Sequence, residues 1–193
     1  MARTASTMLA LGTQAPDFNL LDVTTGEMRT LASFDQKTAL LVMFICRHCP
    51  FVIHVQGELA KLGKDYASTG LGIVAISAND AEKYPADGPG SLKEMVVELS
   101  LLYPILFDES QEVAKAYTAA CTPDFFLFDS ARKLIYRGQL DDSRPGNDKP
   151  VTGSDLRAAI DAALLGKPIL EEQKPSIGCN IKWKPGNNPA YYG

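Results

Sequence analysis

Ala39-Leu40-Leu41-Val42-Met43-Phe44-Ile45-Cys46-Arg47-His48-Cys49-Pro50-Phe51-Val52 is the stretch on which the reading of this chain turns. The run from Leu40 to Ile45 has no polar member, so it reads as a strand covered on both faces, near the middle of a sheet. From Phe51 onward Val52, Val55, Leu59, Leu62 and Tyr66 recur at threes and fours, the stripe of an amphipathic helix that Ser68-Thr69-Gly70 closes. Cys46 and Cys49 fall where strand hands over to helix. Unpaired N–H groups and the helix dipole stabilise a thiolate there. The spacing predicts Cys46 at the helix cap and Cys49 one turn in, on one face and open to solvent, able to close a small-ring disulfide. Arg47 and His48 add positive potential, so the Cys46 thiol is expected to fall from ~8.5 toward ~3.5–7.5. Pro50 costs little in a first turn, where N–H groups have no intrahelical partner.

Working outward, Asn19 to Val23 and Glu27 to Leu31 around Thr24-Thr25-Gly26 read as a β-hairpin, preceded by a mobile start. A second strand follows at Gly72 to Ser77, and the Pro- and Gly-rich stretch Ala78 to Gly90 reads as a surface loop. Ser91 with Glu94 fits a capping box for a helix that buries Leu92, Met95, Val96, Leu99 and Leu102. Tyr103 to Phe107 is a short strand, Ser110 to Ala120 a short helix, and Asp124 to Phe128 with Leu134 to Gln139 a strand pair. After a polar loop at 141–150, Thr152 with Asp155 can cap a last helix that ends at Gly166. From Pro168 the chain turns to Pro, Gly, Asn and Lys without periodicity, an extended arm laid on the body. The order is that of an α/β protein with a central mixed sheet flanked by helices, an N-terminal hairpin and a C-terminal arm.

Composition bounds the function. The 193 residues suit one domain, and 19 Lys plus Arg against 23 Asp plus Glu leave a net charge of −4 with no long block of either sign. That excludes nucleic acid and an anionic membrane surface as expected partners. No apolar stretch reaches the ~18–20 residues of a membrane-crossing helix, and Met8 to Leu11 is too short for a secretory core, so a cytoplasmic location is expected. Four cysteines, at 46, 49, 121 and 179, are too few and too unevenly spaced for a disulfide scaffold. In a reducing compartment the close pair reads as catalytic or metal-binding.

Strand, Cys-x-x-Cys-Pro, helix, and later Thr122-Pro123 ahead of a strand pair and last helix resemble the thioredoxin superfamily. The opening Gly12-Thr13-Gln14-Ala15-Pro16-Asp17-Phe18 is similar to its redoxin branch, the alkyl hydroperoxide reductase and thiol-specific antioxidant relatives. Arg47 to Val52, Cys121 to Asp129 and Pro175 to Lys184 resemble a peroxiredoxin-like group of the same fold. The resemblance implies a redoxin domain over residues 1–166, with 167–193 as an arm packed on it. It implies that the Thr122–Pro123 bond is cis and faces the dithiol, with Thr122 offering backbone hydrogen bonds to a bound thiol partner. It further implies thiol–disulfide exchange without a cofactor, with protein or small-molecule disulfides and thiols as partners, an unidentified reductant, and a monomer or homodimer. This chain departs from the peroxidase signature: with Cys49 in the peroxide-reactive place, the expected hydroxyl and proline positions hold Cys46 and Val42. It departs from the thioredoxin pattern too, with Ile45 for Trp and Arg47-His48 for Gly-Pro, which predicts a more oxidising couple.

The expected chemistry is therefore an oxidoreductase with Cys46 as attacking thiolate, Cys49 as resolving thiol, Arg47 and His48 as tuners, and Thr122-Pro123 as the docking element. Its rivals are a thiol peroxidase and a non-enzymatic metal- or partner-binding module. A zinc site from Cys46, His48, Cys49 and a distant Cys is set aside because side chains at i and i+2 diverge on a helix, so no metal is expected. Cys121 and Cys179 are candidate further redox thiols: Cys121 fits an inert buried thiol, whereas Cys179 in the arm could fold back to exchange with Cys46 or Cys121. His54 is assigned no role.

Overall fold

A computed structural model describes residues 3–192; Met1, Ala2 and Gly193, at the ends of the expected domain and arm, lie outside them. The elements in order are β1 (Arg3–Ala5), β2 (Asn19–Asp22), β3 (Met28–Thr30), β4 (Ala39–Phe44), α1 (Pro50–Asp65), β5 (Leu71–Ser77) and α2 (Pro89–Glu98). Then come β6 (Ile105–Phe107), α3 (Glu112–Ala116), β7 (Cys121–Thr122), β8 (Asp124–Phe128), β9 (Leu134–Gly138), α4 (Ser154–Leu164) and β10 (Ile177–Asn180).

The apolar run forms β4, which pairs parallel to β5 and antiparallel to β8 in a sheet of order β3-β2-β6-β5-β4-β8-β9. Its side chains alternate between two cores, as a strand period of two requires. Leu41 and Met43 join the apolar stripes of α1, α2 and α4, whereas Leu40, Val42 and Phe44 pack with Phe126, Phe128 and Tyr117 on the other face. A strand covered on both sides has no use for polar residues, which is why its sequence lacks them. At the Cys46 end the sheet is thus held rigidly from both faces.

Four expectations are corrected. Helix α2 starts at Pro89 behind an N-cap at Gly88, not at a Ser91–Glu94 box, because proline's fixed φ suits a first helical position. Helix α3 covers only Glu112–Ala116. Helix α4 is capped from Gly153 at φ 67° rather than by a Thr152–Asp155 box, since Asp155 accepts from Gln139 and Ser154. Lastly, the start expected to be mobile forms β1, which pairs with β10 of the arm, itself set between β1 and β7 in a second, three-stranded antiparallel sheet. The buried side chain of Gln111 fixes the arm beyond β10, donating to the Lys182 carbonyl at 3.0 Å and accepting from the Lys184 N–H at 2.8 Å.

Candidate active site

Helix α1 begins at Pro50, so Cys46 to Cys49 form a loop leading into it and Cys49, rather than Cys46, is the N-cap residue. Proline favours the first helical position, which pushes the cap onto the residue before it. The Cys49 side chain makes no capping hydrogen bond to that first turn, although the nearby Val52 N–H favours its anion. Its sulfur lies 3.2 Å from the Thr122 carbonyl, to which the protonated thiol donates, and the neighbouring thiols of Cys46 and Cys179 favour its anion. The Cys46 sulfur lies 3.4 Å from the Thr122 hydroxyl.

These surroundings divide the pair. The Cys46 thiol is pushed well above its ordinary value, first by its neighbour Cys49, then by burial, then by the nearby Asp87 carboxylate. Cys49 is drawn down to about 4, first by Cys46, and further by Cys179, Thr122 and the Val52 N–H, against burial. The two sulfurs titrate as a unit, with Cys46 pushed up and Cys49 drawn down, so the first anion of the pair falls on Cys49. The expected lowering at Cys46 is corrected: the helix terminus serves Cys49, and Asp87 opposes an anion on Cys46.

Asp87 lies within 78–90, the stretch expected to be a surface loop, and is buried instead. It closes a 3-10 turn at Pro85–Asp87, is fully buried, and accepts four hydrogen bonds. These come from the backbone N–H of Arg47 at 2.8 Å and of His48 at 3.3 Å, from His48 Nδ1 at 2.5 Å and from Asn79 at 2.7 Å. The His48 ring stacks on Tyr84 at 5.3 Å. Arg47 turns to α2, where its guanidinium meets Glu94 and Glu98, each at 2.8 Å, and the Ser91 carbonyl. Both expected cations are therefore answered by carboxylates.

The argument against His48 as a metal ligand also fails, because residues 46–49 are not helical. Cys46 Sγ, a His48 ring nitrogen and an Asp87 oxygen lie within 4.8 Å of one another. The four hydrogen bonds on Asp87 already occupy that carboxylate, so the cluster reads more simply as a fastening that holds the dithiol loop.

Opposite the dithiol the Thr122–Pro123 bond is cis. Backbone of Thr122 is already paired: β10 runs antiparallel to β7 with Cys179 opposite Thr122, and Ser176 Oγ donates to the Pro123 carbonyl at 2.8 Å. The void between Phe51, His54, Pro123, Ser143 and Ser176 is only about 20 Å³. Cys46, Cys49 and Cys179 are 1%, 0% and 2% exposed, so the expected open helix mouth is a sealed one. Cys121 is buried on β7, its thiol pushed up first by burial, with its sulfur 3.6 Å from the Pro123 carbonyl. His54 bonds Ser143 at 2.8 Å, tying α1 to the 141–149 loop, which rims this side. Among the described residues, no helix is long and apolar enough to cross a membrane.

A buried dithiol between a strand end, a helix N-cap and a cis-proline turn defines a thioredoxin-like fold. The likeness bears this out: the thioredoxin domain of a thiol-disulfide oxidoreductase from Bacteroides vulgatus superposes with a TM-score of 0.62 at 21% identity, over 81% of this chain and 99% of that one. More particularly, the chain belongs to the AhpC/TSA family, whose model matches residues 11–137. The thiol-disulfide oxidoreductase ResA of Geobacillus kaustophilus is 27% identical over 128 residues, 65% of this chain and 67% of that protein. The crystal structure of an uncharacterized conserved protein from Geobacillus kaustophilus matches with a TM-score of 0.94 at 55% identity, covering 96% of this chain and 98% of that one.

Proposed function

We propose that the chain is a thiol–disulfide oxidoreductase that cycles Cys46 and Cys49 between dithiol and disulfide in redox homeostasis. One observation carries the reading: both sulfurs reach Thr122 of the cis turn, Cys46 at its hydroxyl (3.4 Å) and Cys49 at its carbonyl (3.2 Å). The names of the ResA relatives agree with it. For the first attack the proton of Cys46 must pass to Cys49; Cys46 then forms the mixed disulfide with the partner, and Cys49, on giving that proton up to the leaving thiolate, attacks the mixed disulfide and releases the reduced partner. An incoming partner requires the cover over the sulfurs to open. Asp87 with His48 fixes the loop and biases the charge toward Cys49, while Arg47 braces the loop against α2. We assign the activity to the cytoplasm, with thiol- or disulfide-bearing proteins or small molecules as partners; cell fractionation checks the compartment.

The test is trapping. Cys49→Ser should accumulate a mixed disulfide on Cys46 with a disulfide substrate, and Cys46→Ser should lose reduction of insulin disulfides. Equal turnover by the wild type and both variants contradicts the assignment. Membership of the AhpC/TSA family favours a second reading, reduction of peroxides. Oxidation of Cys49 by hydrogen peroxide much faster than that of free cysteine would support it; a rate like free cysteine's would dismiss it.

A further inference from the structure

We infer that Cys179 is a third redox-active thiol, exchanging within the same molecule with Cys49, so that the C-terminal arm holds the alternative half of an internal disulfide switch. The inference rests on the proposed 46–49 chemistry and extends it to a residue far away in the chain.

Three independent features bring Cys179 to Cys49. The register of β10 on β7 sets Cys179 directly opposite Thr122, the residue whose carbonyl lies 3.2 Å from the Cys49 sulfur. Next, the two thiols act on each other: Cys179 is pushed up to about 12, first by burial and then by its neighbour Cys49. Third, the neighbour of Cys179 is a glycine, and a Cβ on Gly178 would run into the Thr122 carbonyl. With no side chain there, β10 can close on β7 tightly enough for the sulfurs to meet. Anchors on both sides hold this placement: Ser6 and Ser176 exchange hydrogen bonds at 2.9 and 3.0 Å before it, and Gln111 grips Lys182 and Lys184 after it. Cys121, the other thiol nearby, makes its contact with the Pro123 carbonyl instead, so the exchange partner is Cys49 rather than Cys121.

The step balances without an outside reagent. Starting from the 46–49 disulfide, Cys179 gives up its proton and its sulfur attacks Cys49; the 46–49 bond breaks and a 49–179 bond forms. Cys46 leaves as a thiolate and takes up the proton, consistent with its preference for the protonated form. One disulfide is exchanged for another, and the oxidation state of the chain is unchanged. The product pins the arm to the helix cap and leaves Cys46 as the single reduced thiol of the three.

The test is disulfide mapping on the full chain. Wild type is oxidised with diamide, freed of reagent, sampled over time, quenched in acid, alkylated and digested. The expected result is a 46–49 linkage accompanied by a 49–179 linkage, and in Cys46→Ser the 49–179 linkage alone, with both cysteines lost as alkylation sites. Gly178→Val, which displaces β10 without touching a sulfur, should lose the 49–179 linkage and keep 46–49, and Cys179→Ser should do the same. Should Cys46→Ser after diamide leave Cys49 and Cys179 both open to alkylation under denaturing conditions, while wild type forms 46–49 alone, the inference is overturned and the proposed function stands. If wild type forms no 46–49 linkage and does not reduce insulin, the proposed function is what fails, and a 49–179 linkage in Cys46→Ser still supports the proximity claimed here.

Discussion

The two ends of the dithiol loop face opposite electrostatic settings. At the Cys46 end a fully buried carboxylate, Asp87, gathers the loop's own N–H groups and His48; at the Cys49 end the first turn of α1 and the thiols of Cys46 and Cys179 favour an anion on the sulfur. Both ends are dry, so burial alone would raise both thiols alike. The difference comes from what surrounds each sulfur: the Asp87 charge opposes an anion on Cys46, whereas the thiols of Cys46 and Cys179 favour one on Cys49. A spacing of three residues is enough to place one proton on one sulfur and the charge on the other.

The largest change should come from removing the carboxylate. Asp87→Ala strands the N–H groups of Arg47, His48 and Asn79 in a buried place and should destabilise the fold by about 3–5 kcal/mol in urea unfolding. Asp87→Asn keeps the shape and should narrow the gap between the two thiols, seen as an ultraviolet thiolate titration moved toward a symmetric pair. An unaltered titration would remove Asp87 from the account.

A second effect follows from the sign of the Cys49 shift. Its folded value of about 4 lies below the unfolded ~8.5, so the thiolate contributes stability that is complete above the unfolded value and lost as pH falls through about 4. The stability difference between wild type and Cys49→Ser should therefore widen as pH rises from about 4 to 8.5. A flat difference across that window would place the anion elsewhere. Smallest of all is Arg47→Ala, which removes partly exposed ion pairs with Glu94 and Glu98 and should cost under about 1 kcal/mol. It should leave the thiolate titration where it is, because Arg47 faces α2 rather than the sulfurs.

Much of this was legible in the sequence because it is local. β4 shows as an unbroken apolar run and α1 as a stripe at threes and fours, and those two elements fix where the cysteines sit. The cis Thr122–Pro123 turn came from resemblance, since nothing in the residues alone distinguishes it from an ordinary strand start. The cap differs from the expected Cys46 although its signal lies in the sequence: Pro50 at a first helical position implies Cys49 before it. Asp87 carried no such signal, because a single acid in a loop has no period, and only the folded chain brings its carboxylate under the thiols. The pairing of β10 with β7 spans more than fifty residues, and a four-residue strand in a Pro-rich arm has too few alternations to read. Gly178 beside Cys179 was its one local trace.

The central claim is that Cys46 and Cys49 act as one two-electron couple whose reduced form is stabilised by an anion on Cys49. Equilibration of the protein across glutathione and dithiothreitol redox buffers, with the 46–49 linkage counted by mass mapping, tests it directly. Stabilising the reduced form raises the potential, so a reversible midpoint above thioredoxin's roughly −270 mV is expected. A midpoint below that value, or thiols that never close reversibly, would contradict it.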